Sequence, residues 1–129
     1  IISGLKHIDK NNKIKGREYV IINAKDKIKD TLIGTLASIL SFSSVYKEGT
    51  IIIGMAYNED KIKISTRMAG RNPKSSRNLR ELMDSITHTL GHGDSGGHKH
   101  AAGCTIHIDK EKEFIELIKK KLEFELIKV

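Results

Sequence analysis

Apolar residues recur along this 129-residue chain with two periods, and each change of period marks an element. Residues 17 to 23, REYVIIN, are β-branched and aromatic and predict a strand, followed by the polar loop AKDKIKD. Leu32, Ile33, Leu36, Ala37 and Leu40 then recur at helical spacing. Asp30 or Thr31 is placed to cap that helix, which is expected to stop near residues 41 to 44. Residues 50 to 57, TIIIGMAY, are an almost unbroken apolar run, the pattern of a central strand covered on both faces. Asn58, Glu59 and Asp60 turn the chain into KIKISTR, residues 61 to 67. Strict alternation there puts Ile62, Ile64 and Thr66 on one face and Lys61, Lys63, Ser65 and Arg67 on the other.

Residues 68 to 77, MAGRNPKSSR, hold the only proline and a cluster of turn formers and read as a basic loop. Asn78 with Glu81 resembles a capping box for a helix whose stripe is Leu79, Leu82, Met83, Ile86 and Leu90. GHGDSGG, residues 91 to 97, has four glycines in seven positions and cannot continue that helix. A strand is expected from Ala101, with Cys104, Ile106 and Ile108 toward the core and Gly103, Thr105 and His107 on the other side. Asp109 is the expected cap of a last helix with apolar face Phe114, Ile115, Ile118 and Leu122, acidic at its start and with Lys119, Lys120 and Lys121 in its last turn. FELIKV, residues 124 to 129, reads as a closing strand.

Elements in this order predict a single α/β domain, a mixed sheet of about five strands with helices packed on it. Residues 1 to 16, with DKNNK as a turn, are expected to form an N-terminal hairpin or linker, and residues 17 to 129 the domain. A chain of this length buries a core without disulfides, and its one cysteine, Cys104, rules out an internal disulfide or a Cys-rich zinc module. No apolar run is long enough for a membrane span and the N-terminus lacks signal-peptide features, so a cytoplasmic protein without membrane contact is expected. Lys and Arg number 23 against 16 Asp and Glu, a net charge of +7. Such a charge favours polyanions such as nucleic acid, and equally fits the charged surface of a heat-adapted protein.

The candidate chemistry gathers in SGGHKHAAG, residues 95 to 103. Four of the six histidines, His88, His92, His98 and His100, fall within thirteen positions, with Cys104 and His107 beyond. None of the usual zinc-ligand spacings occurs, although a small His-rich zinc-binding or protein-interaction domain stays open as an alternative. Cys104 is expected in the core rather than as a nucleophile, and the aspartates are scattered through loops and caps. A phosphate cradle has physical grounds: glycines let backbone N–H groups approach an anion, and Ser95, Gly96, Gly97 and His98 supply such a run. A plain glycine-rich turn into a strand fits the same spacing. Ser65 and Arg67 on the polar strand face add a hydroxyl and a guanidinium, whose planar fork suits phosphate.

Two motifs in order, KISTR carrying S-x-R and, about thirty residues later, GGHKHAAG, resemble the DHH-associated domain of the first type. This is the C-terminal substrate-binding module of DHH phosphoesterases such as RecJ-like single-strand exonucleases and oligoribonucleases. DTLIGTLASIL, residues 30 to 40, resembles the first helix of such modules, and the likeness spans roughly residues 17 to 122. It implies that Arg67, Ser65, Gly96, Gly97 and His98 contact the phosphate of single-stranded nucleic acid or a short oligonucleotide. Ser95 stands where the family usually has a third glycine, and His100 at a variable position. Lys63, Arg71 and Lys74 would add weaker attraction.

The family's D-x-D and D-H-H metal motifs do not occur in these residues, so no catalytic residue, metal or cofactor is expected here. The resemblance places manganese, or magnesium, in an N-terminal DHH catalytic domain of a larger phosphoesterase, consistent with a chain that lacks an initiating Met. Replication or repair proteins are further expected partners. The nucleic-acid-binding module of alanyl-tRNA synthetase relatives is the alternative within the resemblance.

Overall fold

A computed structural model describes residues 10–128. A 3-10 turn, Lys10–Asn12, leads into β1 (Lys13–Lys15), β2 (Tyr19–Asn23), α1 (Asp30–Phe42), β3 (Ile51–Asn58), β4 (Lys61–Met68), α2 (Leu79–Leu90), β5 (Asp94–His98) and β6 (Ala101–His107). A second 3-10 turn, Ile108–Lys110, runs into α3 (Glu111–Lys128). The strands form one six-stranded sheet in the order β1-β2-β3-β4-β6-β5. Only β2 and β3 are parallel, as a β-α-β connection through α1 requires; all other neighbours are antiparallel. Among the described residues no helix is long and apolar enough to cross a membrane.

The two faces of the sheet are covered unequally. On one face Tyr19, Ile21, Ile53, Met55, Ile64 and Cys104 meet Leu79, Met83 and Ile86 of α2 and Phe114, Ile118 and Leu122 of α3 in the largest apolar cluster. The opposite face carries one helix, α1, which packs Ile33, Leu36 and Ala37 against Val20, Ile22, Ile52 and Ala56. The continuous apolar runs of β2 and β3 follow from burial on both sides. At Gly54 a Cβ would stand 2.9 Å from Ile33 Cγ1, so glycine lets α1 settle close to β3. Helix α1 reaches β4 but leaves β6 and β5 uncovered, and that bare strip holds the candidate site.

Several local expectations change. The glycine-rich run after α2 is not a turn but the edge strand β5, because pairing with β6 satisfies its backbone. FELIKV is no strand: α3 continues through it to Lys128, since the Phe114, Ile118, Leu122 stripe repeats every four residues with no breaker after it. Lys119 to Lys121 consequently lie inside the helix. Asp109 sits within the second 3-10 turn, where its N–H donates to His107 Nδ1 at 3.1 Å. Helix α1 is preceded by Lys29 without a side-chain cap, and Asp30 instead accepts from Asn58 Nδ2 at 3.1 Å. The Asn78 cap is present, its Oδ1 accepting from Glu81 N at 3.1 Å, and Gly91 ends α2 at φ 80°. In the opening stretch β1 pairs with β2, while the first arm of the expected hairpin lies outside the described residues.

Candidate functional site

Register brings the two motifs together. Strand β6 lies between β4 and β5, so Ser65, Gly103 and Gly96 form one row across the sheet and Arg67, Ala101 and His98 the next. Lys63, Thr105 and Asp94 make a third row on the same face. From β4 to β5 is two strand spacings, about 10 Å. The floor between them carries only hydrogen or methyl at Gly103, Ala101 and Gly96. With α1 as one wall, the result is an open cleft of about 420 Å³.

Ser65 and Arg67 form its polar side. Ser65 is 6% exposed, and its Oγ has no hydrogen-bond partner among the described residues. Arg67 is half-buried; its Nε donates to Ser38 Oγ at 3.0 Å and its Nη1 to the Thr66 carbonyl at 2.8 Å. No carboxylate pairs with it among the described residues, and Nη2 has no acceptor there. Burial lowers its pKa from the ordinary arginine value, yet a guanidinium stays charged at neutral pH. A fixed, partly desolvated cation with a free donor edge has the chemistry to donate charge-assisted hydrogen bonds to an anion. Gly34 of α1 keeps the space above open: a Cβ there would stand 3.3 Å from Ser65 Oγ and 3.6 Å from Arg67 Nη2.

The far side is β5. Gly97 has φ +122°, and a Cβ would come within 2.5 Å of Ala101 O and Ala102 Cα, so the hairpin itself demands glycine. At Gly96 a Cβ would meet nothing within 4 Å, so the fold does not demand glycine there. As the edge strand, β5 has no further strand on its outer side. The tip of the hairpin is anchored: Lys99 O accepts from Leu79 N at 2.7 Å and His100 O from Met68 N at 3.2 Å.

The expected site residues therefore divide. Ser65, Arg67, Ser95, Gly96 and Gly97 all line one cleft. His98 is exposed at its mouth, in the row of Arg67, and His100 is exposed in the turn beyond. Ser95 borders the cleft through its backbone, while strand alternation directs its side chain to α2, where its Oγ donates to Asp84 Oδ1 at 2.6 Å. That hydrogen bond, helped by Arg80, holds the Asp84 carboxyl below the usual carboxylate range, and Arg80 Nη1 also donates to Gly97 O at 3.1 Å. Ser95 thus braces β5 from behind. Sequence reasoning missed Ser38 and Gly34, whose signal was their four-residue spacing on one helix stripe.

Other clusters are less suited to an anion. A larger depression of about 540 Å³ beside α3 is lined by Asp109, Glu111 and Glu116 as well as Lys112 and Lys119, and its carboxylates repel phosphate. His92 Nε2 accepts from His107 N at 3.0 Å, so both histidines serve local backbone structure. Among the described residues no three His, Cys, Asp or Glu side chains converge as metal ligands would.

A six-stranded mixed sheet with helices on both faces is here the fold of an α/β accessory domain of the kind found in DHH phosphoesterases and in alanyl-tRNA synthetase. The chain belongs to the DHHA1 domain family, whose model matches residues 10–123. Its fold is similar to the C-Ala domain of Aquifex aeolicus alanyl-tRNA synthetase, with a TM-score of 0.64 and 16% identity, covering 84% of this chain and 95% of that one. It is also similar to PggH, a pGpG-specific phosphodiesterase from Vibrio cholerae, with a TM-score of 0.58, 16% identity and 88% of this chain covered. A third likeness is to the DHH domain of PF0399, a member of a family of ribosomal proteins, with a TM-score of 0.61, 20% identity and 94% of this chain covered. The chain spans 35% and 29% of the last two. No curated protein sequence matches it significantly.

Proposed function

We propose that this domain holds a phosphate of single-stranded nucleic acid or a short oligonucleotide and presents the strand to a DHH catalytic domain. The whole enzyme would be a RecJ-like exonuclease or an oligonucleotide phosphodiesterase. The observation that carries this reading is Arg67: half-buried, fixed through Ser38 and Thr66, without a carboxylate partner among the described residues, and facing a floor of glycine and alanine. Its free edge supplies paired charge-assisted hydrogen bonds, Ser65 Oγ a third, and β5 backbone and His98 close the far side. Gly96 leaves room for the anion to reach that depth.

Hydrolysis belongs to the other domain. Manganese or magnesium ions there would supply the activated water. The role of the present residues is to bind and to orient. Replication or repair proteins that recruit such an enzyme would act through surfaces outside this cleft.

Fluorescence anisotropy with labelled single-stranded DNA, RNA, a diribonucleotide and tRNA tests the reading on the chain as it stands. Arg67→Ala with His98→Ala should weaken single-strand binding by roughly tenfold or more, since each hydrogen bond to a charged group contributes about 1.5–3 kcal/mol. The slope of log affinity against log salt should also flatten by about 0.7 for each phosphate that the variant no longer neutralises. Unchanged affinity would remove the site. Binding of tRNA without binding of short oligonucleotides would move the domain toward the synthetase role.

A further inference from the structure

Helix α1 carries an aromatic ring out of the Arg67 end of the cleft that the core does not use. Phe42 is 65% exposed, with Val45 at 64% and Ile39 at 44% beside it. Gly34, Ser38 and Phe42 recur every four residues and so lie along one stripe of the helix. That stripe starts over Ser65 and Arg67, passes Ser38, whose Oγ holds Arg67 Nε at 3.0 Å, and reaches Phe42 one turn, about 6 Å, further on. Gly70 N donates to Ser41 O at 2.9 Å, which ties the start of the basic loop to the end of the helix. Exposed Arg71 therefore follows the junction on one side and exposed Phe42 on the other.

We propose that Phe42 is a base-stacking platform: the nucleobase next to the phosphate on Arg67 lies on its ring, with Arg71 near the following phosphate. This rests on the phosphate reading given above and adds a subsite to it. Charge selects the occupant. Arg67 is bonded to Ser38 one turn before Phe42, and Arg71 follows Gly70, whose N–H is bonded to Ser41 O, so two guanidinium-bearing residues against the one carboxylate of Glu48 beside Gly70 flank this end of α1, which suits a polyanion with flat apolar faces and opposes a purely apolar protein surface. A duplex keeps its base faces stacked inside, whereas a single strand offers them. An aromatic beside a cationic groove is how such strands are held without sequence preference. Phe42 thus converts a phosphate grip into a preference for unpaired strands.

Four ligand-binding measurements on the full chain decide it. Phe42→Ala should weaken binding of a single-stranded oligonucleotide on the order of tenfold to a hundredfold while leaving the salt slope unchanged. An abasic oligonucleotide of the same length, with the same phosphates, should bind wild type and Phe42→Ala alike. The chain has no tryptophan, so Phe42→Trp places a single indole at the site; it should retain affinity, and its emission should be quenched when bases stack on it. Arg67→Ala should weaken both ligands and flatten the salt slope. Loss with Arg67→Ala but none with Phe42→Ala overturns the platform and leaves the phosphate grip standing. No loss with Arg67→Ala overturns the phosphate grip. A Phe42→Ala loss of equal size on the abasic strand, or a Phe42→Trp emission indifferent to bases, also overturns stacking.

Discussion

Replacing Gly96 or Gly97 by Ala adds one methyl group at adjacent positions, with opposite consequences expected. At Gly97 the backbone has φ +122°, where an L side chain is strained by about 1–3 kcal/mol. The new Cβ would also stand 2.5 Å from Ala101 O and from Ala102 Cα, both backbone atoms that no rotamer change can move. The β5–β6 hairpin has to open, and the total cost is about 2–4 kcal/mol. At about 4 °C per kcal/mol for a domain of this size, Tm falls by roughly 8–16 °C. Gly96 has no neighbour within 4 Å of its Cβ position, and Ala in a strand is favoured over Gly by about 0.5–1 kcal/mol. Gly96→Ala should therefore leave Tm unchanged or raise it by about 2–4 °C.

Binding should single out Gly96→Ala as the variant that loses affinity without losing stability. The methyl group of Gly96→Ala stands on the cleft floor across from Ser65, where it holds an anion away from the backbone and should weaken oligonucleotide affinity by about tenfold or more. Thermal and urea unfolding followed by circular dichroism give the stabilities, and anisotropy gives the affinities. A stable Gly96→Ala that binds like wild type would refute the idea that this glycine serves a ligand. A Gly96→Ala as unstable as Gly97→Ala would show that Gly96 does not face open space.

Two further expectations concern ionisable groups away from the cleft. Glu111 starts α3 and accepts hydrogen bonds from Tyr57 OH, from Asn23 Nδ2 at 2.7 Å and from Lys25 Nζ at 3.3 Å. Burial pushes its carboxyl up, but those donors outweigh it and leave the pKa below the ordinary value. A lowered folded pKa stabilises the fold above the unfolded carboxylate pKa, and that contribution is lost as pH falls through the folded one. Glu111→Gln should flatten the acid limb of stability measured by urea unfolding, and an acid limb identical to wild type would contradict the network. Cys104 is buried, and desolvation pushes its thiol up to about 12. At pH 8 its thiolate fraction is on the order of a thousandfold below that of a free cysteine, so a disulfide reagent should label it only after denaturation; rapid labelling of native protein would place it outside the core.

The fold was legible where burial and period agree. TIIIGMAY and KIKISTR read correctly because one strand is buried on both faces and its neighbour on one, and both patterns survive in the composition. The stripes of α1 and α2 were equally plain. Strand β5 escaped because its pairing depends on β6 and on the brace from Asp84 and Arg80, while Asp-Ser-Gly-Gly-His carries almost no strand propensity. FELIKV misled in the opposite direction: its Phe, Leu and Ile suit a strand locally, but the helix already running through Phe114, Ile118 and Leu122 simply continues. The caps of α1 and α3 failed for a smaller reason, a difference of one or two residues in where the helix begins.

The cleft shows why motif strings alone stop short of a site. Reading S-x-R with period two places Ser65 and Arg67 on one face correctly, but nothing local to residues 95 to 98 says which of them share that face. The answer comes from the pairing of Gly96 with Gly103 and of Gly103 with Ser65, the second across about forty residues of sequence. A slip of one residue in either register would turn the Ser95 side chain toward the cleft face and the His98 side chain away from it. Gly97 fixes the β5 register, since only glycine fits against Ala101 and Ala102, and the Ser95–Asp84 hydrogen bond holds the same register from behind. Ser95 and Gly97 therefore hold the position of Gly96 and His98 as well as bordering the cleft with their own backbone. Their substitution should change affinity and hairpin stability together, whereas Gly96→Ala should change affinity alone.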